Sequence, residues 1–339
     1  MNYSALLNQV IQGHSLSEAE AYEMMCEILS GNLSGEKIAG LLTALRAKGE
    51  TRDEVVGFVK AMREFAVKIE TDREVVDTCG TGGDGAHTFN ISTTAAFIAA
   101  GAGVPIAKHG NRSVSSKCGS ADVLDALGVN ISMTPEQVKQ AVEQVGIGFC
   151  FAPLYHQSMK YAAPVRRELG VRTVFNMLGP LLNPFSAKRQ VIGVFAPELT
   201  EFFAQILQSV GGEHIFILHG KDGLDEFTLC DETILTELKN GVIHTRFVTP
   251  EDFGFKRAET KDLVGGEKEE NAQILKAILD GADGPKRDIS VLNAGLAIAS
   301  SGLVNSLEDG IAKATESIDS GNARKKLDEL VKFSAEVSA

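Results

Sequence analysis

The sequence predicts an α/β fold: a small N-terminal helical domain, then a larger α/β domain with a mostly parallel central sheet flanked by helices. Three observations predict it. Helix-start signals and helical periodicity run unbroken through the first seventy residues. From about Val75, short Val/Ile-rich runs alternate with helical patterns, the signature of parallel strands covered by helices. A chain of 339 residues, 44% hydrophobic and 23% charged, has ample material for such a core. We place the helical domain at residues 1–70 and the α/β domain at 73–339. A proline-marked crossing between them lies near 163–183, with Pro164, Pro180 and then Pro184.

Within the helical domain, Ser17-Glu18-Ala19-Glu20 is a capping box ahead of Met24, Met25, Ile28 and Leu29. Ser34 opens a second helix with Ile38, Leu41, Leu42 and Leu45 on one face, stopped by Gly49. Thr51-Arg52-Asp53-Glu54 is another capping box, ahead of Val55, Val56, Val59 and Met62. The Met24-Met25 stripe reads as core. In the α/β part, Val75-Val76-Asp77 and Val104-Pro105-Ile106-Ala107 read as strands, as do residues 148–151, 191–195 and 214–218. Helices are expected from Ala95, at 121–127 and at 200–210. Two strands flanking Asn240-Gly241 carry a hairpin signal, and the last hundred residues return to helices, including 271–279, 293–300 and 310–317.

The net charge of −12 argues against a broad nucleic-acid or membrane surface. Cys26, Cys79, Cys118, Cys150 and Cys230 are scattered with no CxxC spacing, which fits reduced thiols in the cytoplasm. No signal peptide or membrane span is expected.

The most telling segment is Cys79-Gly80-Thr81-Gly82-Gly83-Asp84-Gly85, between a strand and the helix start Asn90-Ile91-Ser92-Thr93. A glycine-dense turn there exposes backbone N–H groups and aims a helix dipole outward, which suits phosphate. The loop also satisfies GxGxxG. A dinucleotide site wants an acid at the end of the next strand, and here Lys108 follows instead, leaving an NADP site conceivable. No GKS or GKT follows the glycines, and Asp252-Phe253-Gly254 has no kinase catalytic loop beside it. A second anion cradle is expected at residues 108–117: Lys108, His109, Gly110, Asn111, Arg112, Ser113, Val114, Ser115, Ser116 and Lys117, with Gly119-Ser120-Ala121-Asp122 opening a helix. Two cradles suit a ligand with phosphates at both ends. Asp225-Glu226, on the loop after the strand 214–218, is an acid pair able to hold Mg²⁺ against phosphate oxygens. Arg166, near the domain crossing, could fork onto a carboxylate or lie on a helix surface; the sequence leaves both open.

Together, Gly80-Thr81-Gly82-Gly83-Asp84, Asn90-Ile91-Ser92-Thr93, Lys108-His109-Gly110-Asn111-Arg112, Gly119-Ser120-Ala121-Asp122, Arg166-Arg167-Glu168-Leu169-Gly170, Asn176-Met177-Leu178-Gly179-Pro180 and Asp225-Glu226 resemble, in order, the anthranilate phosphoribosyltransferases. The resemblance implies transfer of phosphoribose from 5-phosphoribosyl 1-diphosphate to the amine of anthranilate, the second step of tryptophan biosynthesis from chorismate. It implies contacts to the diphosphate sugar from Gly80, Gly83, Asp84, Thr88, Asn90, Ile91, Ser92, Thr93, residues 108–116 and Ser120. It implies anthranilate contacts from Gly80, Asn111 and Arg166, and magnesium ligands Ser92, Asp225 and Glu226, with two ions. It also implies a homodimer joined through the helical domain. No protein nucleophile is needed, and no residue is assigned as general acid or base; His109 is at most secondary.

Two rivals stand beside this reading. A pyrimidine nucleoside phosphorylase shares the fold class but has no use for an acid pair holding Mg²⁺ against diphosphate. A non-catalytic homologue that binds nucleic acid conflicts with the net charge and with the lack of a basic aromatic stripe.

Overall fold

Four helices open the chain: α1 (Tyr3–Ile11), α2 (Glu18–Leu29), α3 (Gly35–Lys48) and α4 (Arg52–Phe65). The structure, a computed structural model, describes residues 2–113 and 117–337. Both expected capping boxes form. Ser17 Oγ accepts the Glu20 N–H at 3.3 Å while the Glu20 carboxylate accepts the Ser17 N–H at 2.8 Å. Glu54 does more than cap. Fully buried, it accepts the Thr51 N–H at 2.8 Å, the Lys48 ammonium at 2.9 Å and the Leu16 N–H at 2.9 Å. One carboxylate thereby ties the start of α2 and the end of α3 to the start of α4. Met24 and Met25 are core, packed with Ile28, Leu41 and Val55.

The α/β part begins with β1 (Val76–Gly80), α5 (Ile91–Gly101), β2 (Ile106–Gly110), α6 (Ser120–Ala126), α7 (Pro135–Gln144) and β3 (Ile147–Phe151). The one-turn α8 (Ala152–Tyr155), α9 (Ala163–Leu169) and the one-turn α10 (Phe175–Leu178) lead to β4 (Arg189–Gly193), α11 (Leu199–Ser209) and β5 (His214–Gly220). The hairpin β6 (Thr233–Lys239) and β7 (Val242–Val248) turns at Asn240-Gly241, whose φ values of 51° and 78° are the left-handed pair such a tight turn needs. Helices α12 (Lys268–Leu279), α13 (Pro285–Ser300), α14 (Leu307–Asp319) and α15 (Asn322–Glu336) complete the described chain. The sequence reading passed over α15, whose apolar face is narrow: only Ala323, Leu327, Leu330 and Ser334 are buried.

Among the described residues the sheet has seven strands in the order β3-β2-β1-β4-β5-β6-β7; the pairs from β3 to β5 are parallel, and β5–β6 and β6–β7 are antiparallel. Alternation along each strand feeds two cores. Val191, Phe216 and Leu218 join α5 and α13 on one face; Ile192, Ile215 and Ile217 join α11 and the N-terminal helices on the other. The crossing segment belongs to that second core, where Val165, Val174 and Phe175 are buried with Ile38 and Leu41. Arg63 of α4 fastens the layers by donating to the Leu181 carbonyl at 3.0 Å and the Val210 carbonyl at 3.2 Å.

The strand order reverses between β1 and β4. In open α/β sheets the crevice at such a switch point, outside the carboxyl ends of the strands, is where ligands bind. One strand boundary is corrected. β2 runs on to Gly110 because β3 keeps pairing with it, Lys108 opposite Phe149 and His109 opposite Cys150. Lys108 is therefore in mid-strand. No helix among the described residues is long and apolar enough to cross a membrane.

Candidate active site

The loop after β1 turns on three glycines in the left-handed region, Gly82, Gly83 and Gly85, with φ of 64°, 79° and 72°. Its near half is held from β4: the Thr81 N–H donates to the Gly193 carbonyl at 2.9 Å, and the Phe195 N–H donates to Thr81 Oγ1 at 3.1 Å. Arg172 lies over the Phe195 ring and donates to the Gly83 carbonyl. The far half is held by a strap before α12. Thr88 bridges Val264, the Phe89 N–H reaches the Leu263 carbonyl at 3.2 Å, and the Gly265 N–H reaches the His87 carbonyl at 3.0 Å.

The loop between β5 and β6 brings Asp225 and Glu226 to the switch point. A Cβ on Gly80 would lie 2.6 Å from Asp225 Oδ2, and one on Gly193 would lie 1.6 Å from the Asp225 carbonyl oxygen. These two glycines, paired across β1 and β4, clear the space the acid enters. Asp225 Oδ2 accepts the Gly82 N–H at 2.9 Å, and Glu226 Oε1 accepts the Ser92 N–H at 3.1 Å in the first turn of α5. The protein's own acids thus rest on the N–H groups that the sequence reading assigned to phosphate. Burial, with the Asp84 charge next, pushes the Asp225 carboxyl up to about 7. Burial and then Asp225 push Glu226 well up.

Two adjacent carboxyls whose charged forms are disfavoured, with the Asp84 charge beside them, are a setting a divalent cation would relieve. Among the described residues no group of three His, Cys, Asp or Glu forms a complete cage. Mg²⁺ needs only one or two carboxylates, its shell being completed by water and phosphate oxygens, and Asp225 and Glu226 are a donor set of that kind.

Lys108 is 3% exposed. Its ammonium donates to the Thr78 carbonyl and lies 3.3 Å from Ser92 Oγ, directly behind the first turn of α5. Burial pushes its pKa down while Asp77 pulls it up. His109 faces the other way, as alternation along a strand requires. Its N–H donates to Asp77 Oδ1 at 3.0 Å, and its ring meets His156 with centroids 5.2 Å apart. Burial pushes His109 down to about 3 and His156 to about 4, so both are neutral imidazoles near neutral pH. One cradle using both Lys108 and His109 side chains is therefore corrected: they serve opposite faces of the sheet. A second correction concerns Ile91 and Thr93. Each is 1% exposed, so α5 offers a ligand their backbone and not their side chains.

In the loop after β2, Asp122 accepts the Ser113 N–H at 3.0 Å, the Gly119 N–H at 2.9 Å and Arg112 Nη1 at 2.8 Å. Arg112 is thus engaged by Asp122, with Asp125 at 3.6 Å. The Asn111 carbonyl accepts from Ser120 Oγ at 3.3 Å, close against Gly110, where a Cβ would lie 2.1 Å from that hydroxyl. Val114, Ser115 and Ser116 lie outside the described residues.

Arg166, on α9, is half-buried with its guanidinium over the Phe175 ring, 5.2 Å from the centroid. Burial alone pushes its pKa down; no carboxylate among the described residues offsets it. α9 ends at Gly170, two residues before the Arg172 that holds the glycine loop. Sequence reasoning missed Gly193, Arg172, the strap and Asn271. The available signals were a glycine at a strand end and the Gly265-Gly266 doublet ahead of a helix.

The chain matches two family models, "Glycosyl transferase family, helical bundle domain" over residues 4–66 and "Glycosyl transferase family, a/b domain" over residues 72–324. It is 50% identical over 335 residues to the anthranilate phosphoribosyltransferase of Desulfatibacillum aliphaticivorans, covering 98% of this chain and 99% of that one. The crystal structure of anthranilate phosphoribosyltransferase (TrpD) from Thermus thermophilus superposes with a TM-score of 0.93 at 43% identity, over 99% of this chain and 100% of the other. The Saccharomyces cerevisiae anthranilate phosphoribosyltransferase in complex with PRPP and Mg gives a TM-score of 0.89 at 29% identity over 98% of each chain. The same yeast protein in complex with 4-fluoroanthranilate gives 0.87 at 28% identity over 99% of each. With glycine loop, buried lysine and acid pair meeting at one switch point, this chain belongs to the glycosyl transferase family built from that helical bundle and a/b domain, and within it to the anthranilate phosphoribosyltransferases.

Proposed function

We propose that this enzyme transfers the phosphoribosyl group of 5-phosphoribosyl 1-diphosphate to the amine of anthranilate, yielding N-(5-phosphoribosyl)anthranilate and diphosphate in tryptophan biosynthesis. The observation that carries the reading is the meeting of Asp225 with Gly82 N–H and of Glu226 with Ser92 N–H, with the Lys108 ammonium behind them. These groups stand ready for an anion that brings its own cation. The relatives crystallised with PRPP and Mg and with 4-fluoroanthranilate support the same substrates here.

In this reading the C1–O bond to diphosphate breaks, its electron pair leaving with the diphosphate, as the anthranilate nitrogen bonds C1 and then gives up one proton to solvent. Magnesium, when bound by Asp225 and Glu226 with Ser92 nearby, supplies charge for the leaving diphosphate; we assign two ions. The protein's part is positioning and preorganised electrostatics. The backbone of Gly80, Gly83, Asp84, Thr88 and residues 90–93 would hold the diphosphate and ribose. Lys108 adds charge from behind, and Asn111, Arg112, Ser113 and Ser120 line the second anion seat. Arg166, lacking a carboxylate of its own, is assigned to the carboxylate of anthranilate, with Gly80 and Asn111 beside it. His109, neutral and on the far face of β2, positions at most.

The domain limits 1–70 and 73–339 belong to the same proposal, as does a homodimer through the helical domain, supported by Ile11 at the end of α1, left 63% exposed. The five free cysteines fit a cytoplasmic enzyme. A pyrimidine nucleoside phosphorylase is not favoured, since phosphorolysis gives the acid pair no task. The test follows loss of anthranilate fluorescence with the diphosphate sugar and Mg²⁺, alongside a thymidine phosphorolysis assay. Turnover in the second alone would reverse the assignment.

A further inference from the structure

Asn90 occupies the N-cap position of α5, yet its side chain caps nothing. An asparagine there ordinarily accepts an N–H of the first turn. Its amide is instead part of a relay across three segments. Asn90 Nδ2 donates to the Cys118 carbonyl at 3.1 Å, Asn271 Nδ2 donates to Asn90 Oδ1 at 3.1 Å, and the Gly266 N–H donates to Asn271 Oδ1 at 2.8 Å. The polarity of the relay is set at both ends by backbone. A carbonyl at Cys118 demands a donor, and an N–H at Gly266 demands an acceptor. Only a side chain with one of each, correctly turned, fits either middle place.

Asn271, on α12, is 2% exposed and reaches the start of α5 through Asn90, its amide also lying against the Cys118 thiol. The fit around it is close: a Cβ on Gly265 would lie 2.5 Å from Asn271 Oδ1 and 2.7 Å from Phe89 Cα. The backbone of Asn90 is fixed separately, its carbonyl accepting the Thr94 N–H at 3.0 Å.

We propose that Asn271 is a positioning residue for the diphosphate end of the sugar substrate: by occupying Asn90 Oδ1 it stops Asn90 from capping α5, and so keeps the Thr93 N–H for the incoming anion, the Ile91 and Ser92 N–H groups being held by the Phe89 carbonyl and Glu226. The same relay holds the glycine loop, the loop before α6 and the strap before α12 in one register. The role rests on the phosphoribosyl-transfer reading given above.

The decisive variant is Asn271→Asp, which keeps an acceptor for Gly266 and loses the donor to Asn90. Its KM for the diphosphate sugar should rise about tenfold, the scale of one lost buried hydrogen bond. The KM for anthranilate should stay within about twofold; some loss of thermal stability is expected because a carboxylate is costly to bury, while the Gly266 N–H keeps its acceptor. In an Asn90→Ala background the same substitution should add almost nothing, because the two residues act through one bond. A native KM for the sugar in N271D, an equal rise in both KM values, a full effect persisting beside N90A, or failure of N271D to fold each overturns the positioning role. If the native enzyme consumes no anthranilate, the underlying reading fails instead.

Discussion

Gly80 and Gly193 face each other across the paired strands β1 and β4, and together they make the gap through which Asp225 reaches the glycine loop. Neither has a positive φ, so neither is glycine for its backbone; each is glycine for what passes beside it. Gly193→Ala would set a methyl 1.6 Å from the Asp225 carbonyl oxygen, a contact with backbone that no rotamer relieves. We expect a stability loss of about 1–3 kcal/mol and activity lower by roughly two orders of magnitude as the acid pair shifts. Chemical unfolding and steady-state assays measure the two separately.

Asp225→Asn with Glu226→Gln should separate stability from activity. Amide oxygens can still accept the Gly82 and Ser92 N–H groups, while the repulsion among Asp84, Asp225 and Glu226 disappears. The melting temperature without metal should rise, and Mg²⁺-dependent turnover should fall by about 10² or more. Unchanged turnover would remove these residues from the metal site.

Arg166→Ala should raise the KM for anthranilate at least about tenfold and leave that for the diphosphate sugar within about twofold. Arg166→Lys should restore little, because an ammonium cannot reproduce a planar fork over Phe175. The opposite pattern of KM changes would place the arginine at the sugar.

The paired imidazoles set a pH dependence. Burial holds His109 at about 3 and His156 at about 4, below an ordinary histidine. The unfolded chain therefore binds protons that the folded one refuses. Their stabilising contribution is complete above about pH 6.5 and is lost as pH falls toward 4 and then 3. Asp225, raised to about 7, works in the opposite sense and loses stability as pH rises from about 4 to 7, so a difference measurement is needed. The drop in unfolding free energy from pH 7 to pH 5 should be smaller in His156→Gln than in the native protein; equal drops would show that His156 is not buried as a neutral ring.

Much of this was legible in the sequence because the signals were local. Capping boxes at Ser17 and Thr51, the turn Asn240-Gly241 and the glycines at 80–85 each encode their own geometry within a few residues. What stayed hidden depends on partners distant in the chain. Nothing near Gly193 announces that Asp225 will pass it, and nothing near Asn271 announces Asn90, 181 positions away. The end of β2 was misread for a related reason. Lys108 looks like a strand terminus in isolation, and only the pairing with β3 carries the strand on to Gly110. Side-chain direction was equally out of reach, so Lys108 and His109 were assigned together although the pleat divides them.

The crossing segment has a mechanical consequence. Val165 on α9 packs with Ile38 in the core of the N-terminal helices, so Arg166 rides with that bundle. The glycine loop and acid pair ride with the sheet. The proposed anthranilate seat thus draws Arg166 from the segment packed on the bundle and Gly80 and Asn111 from the sheet, and the shared core of Ile38, Val165, Ile192 and Ile217 joins the two. Arg63, reaching from α4 to the Leu181 and Val210 carbonyls, adds a polar tie across the same junction.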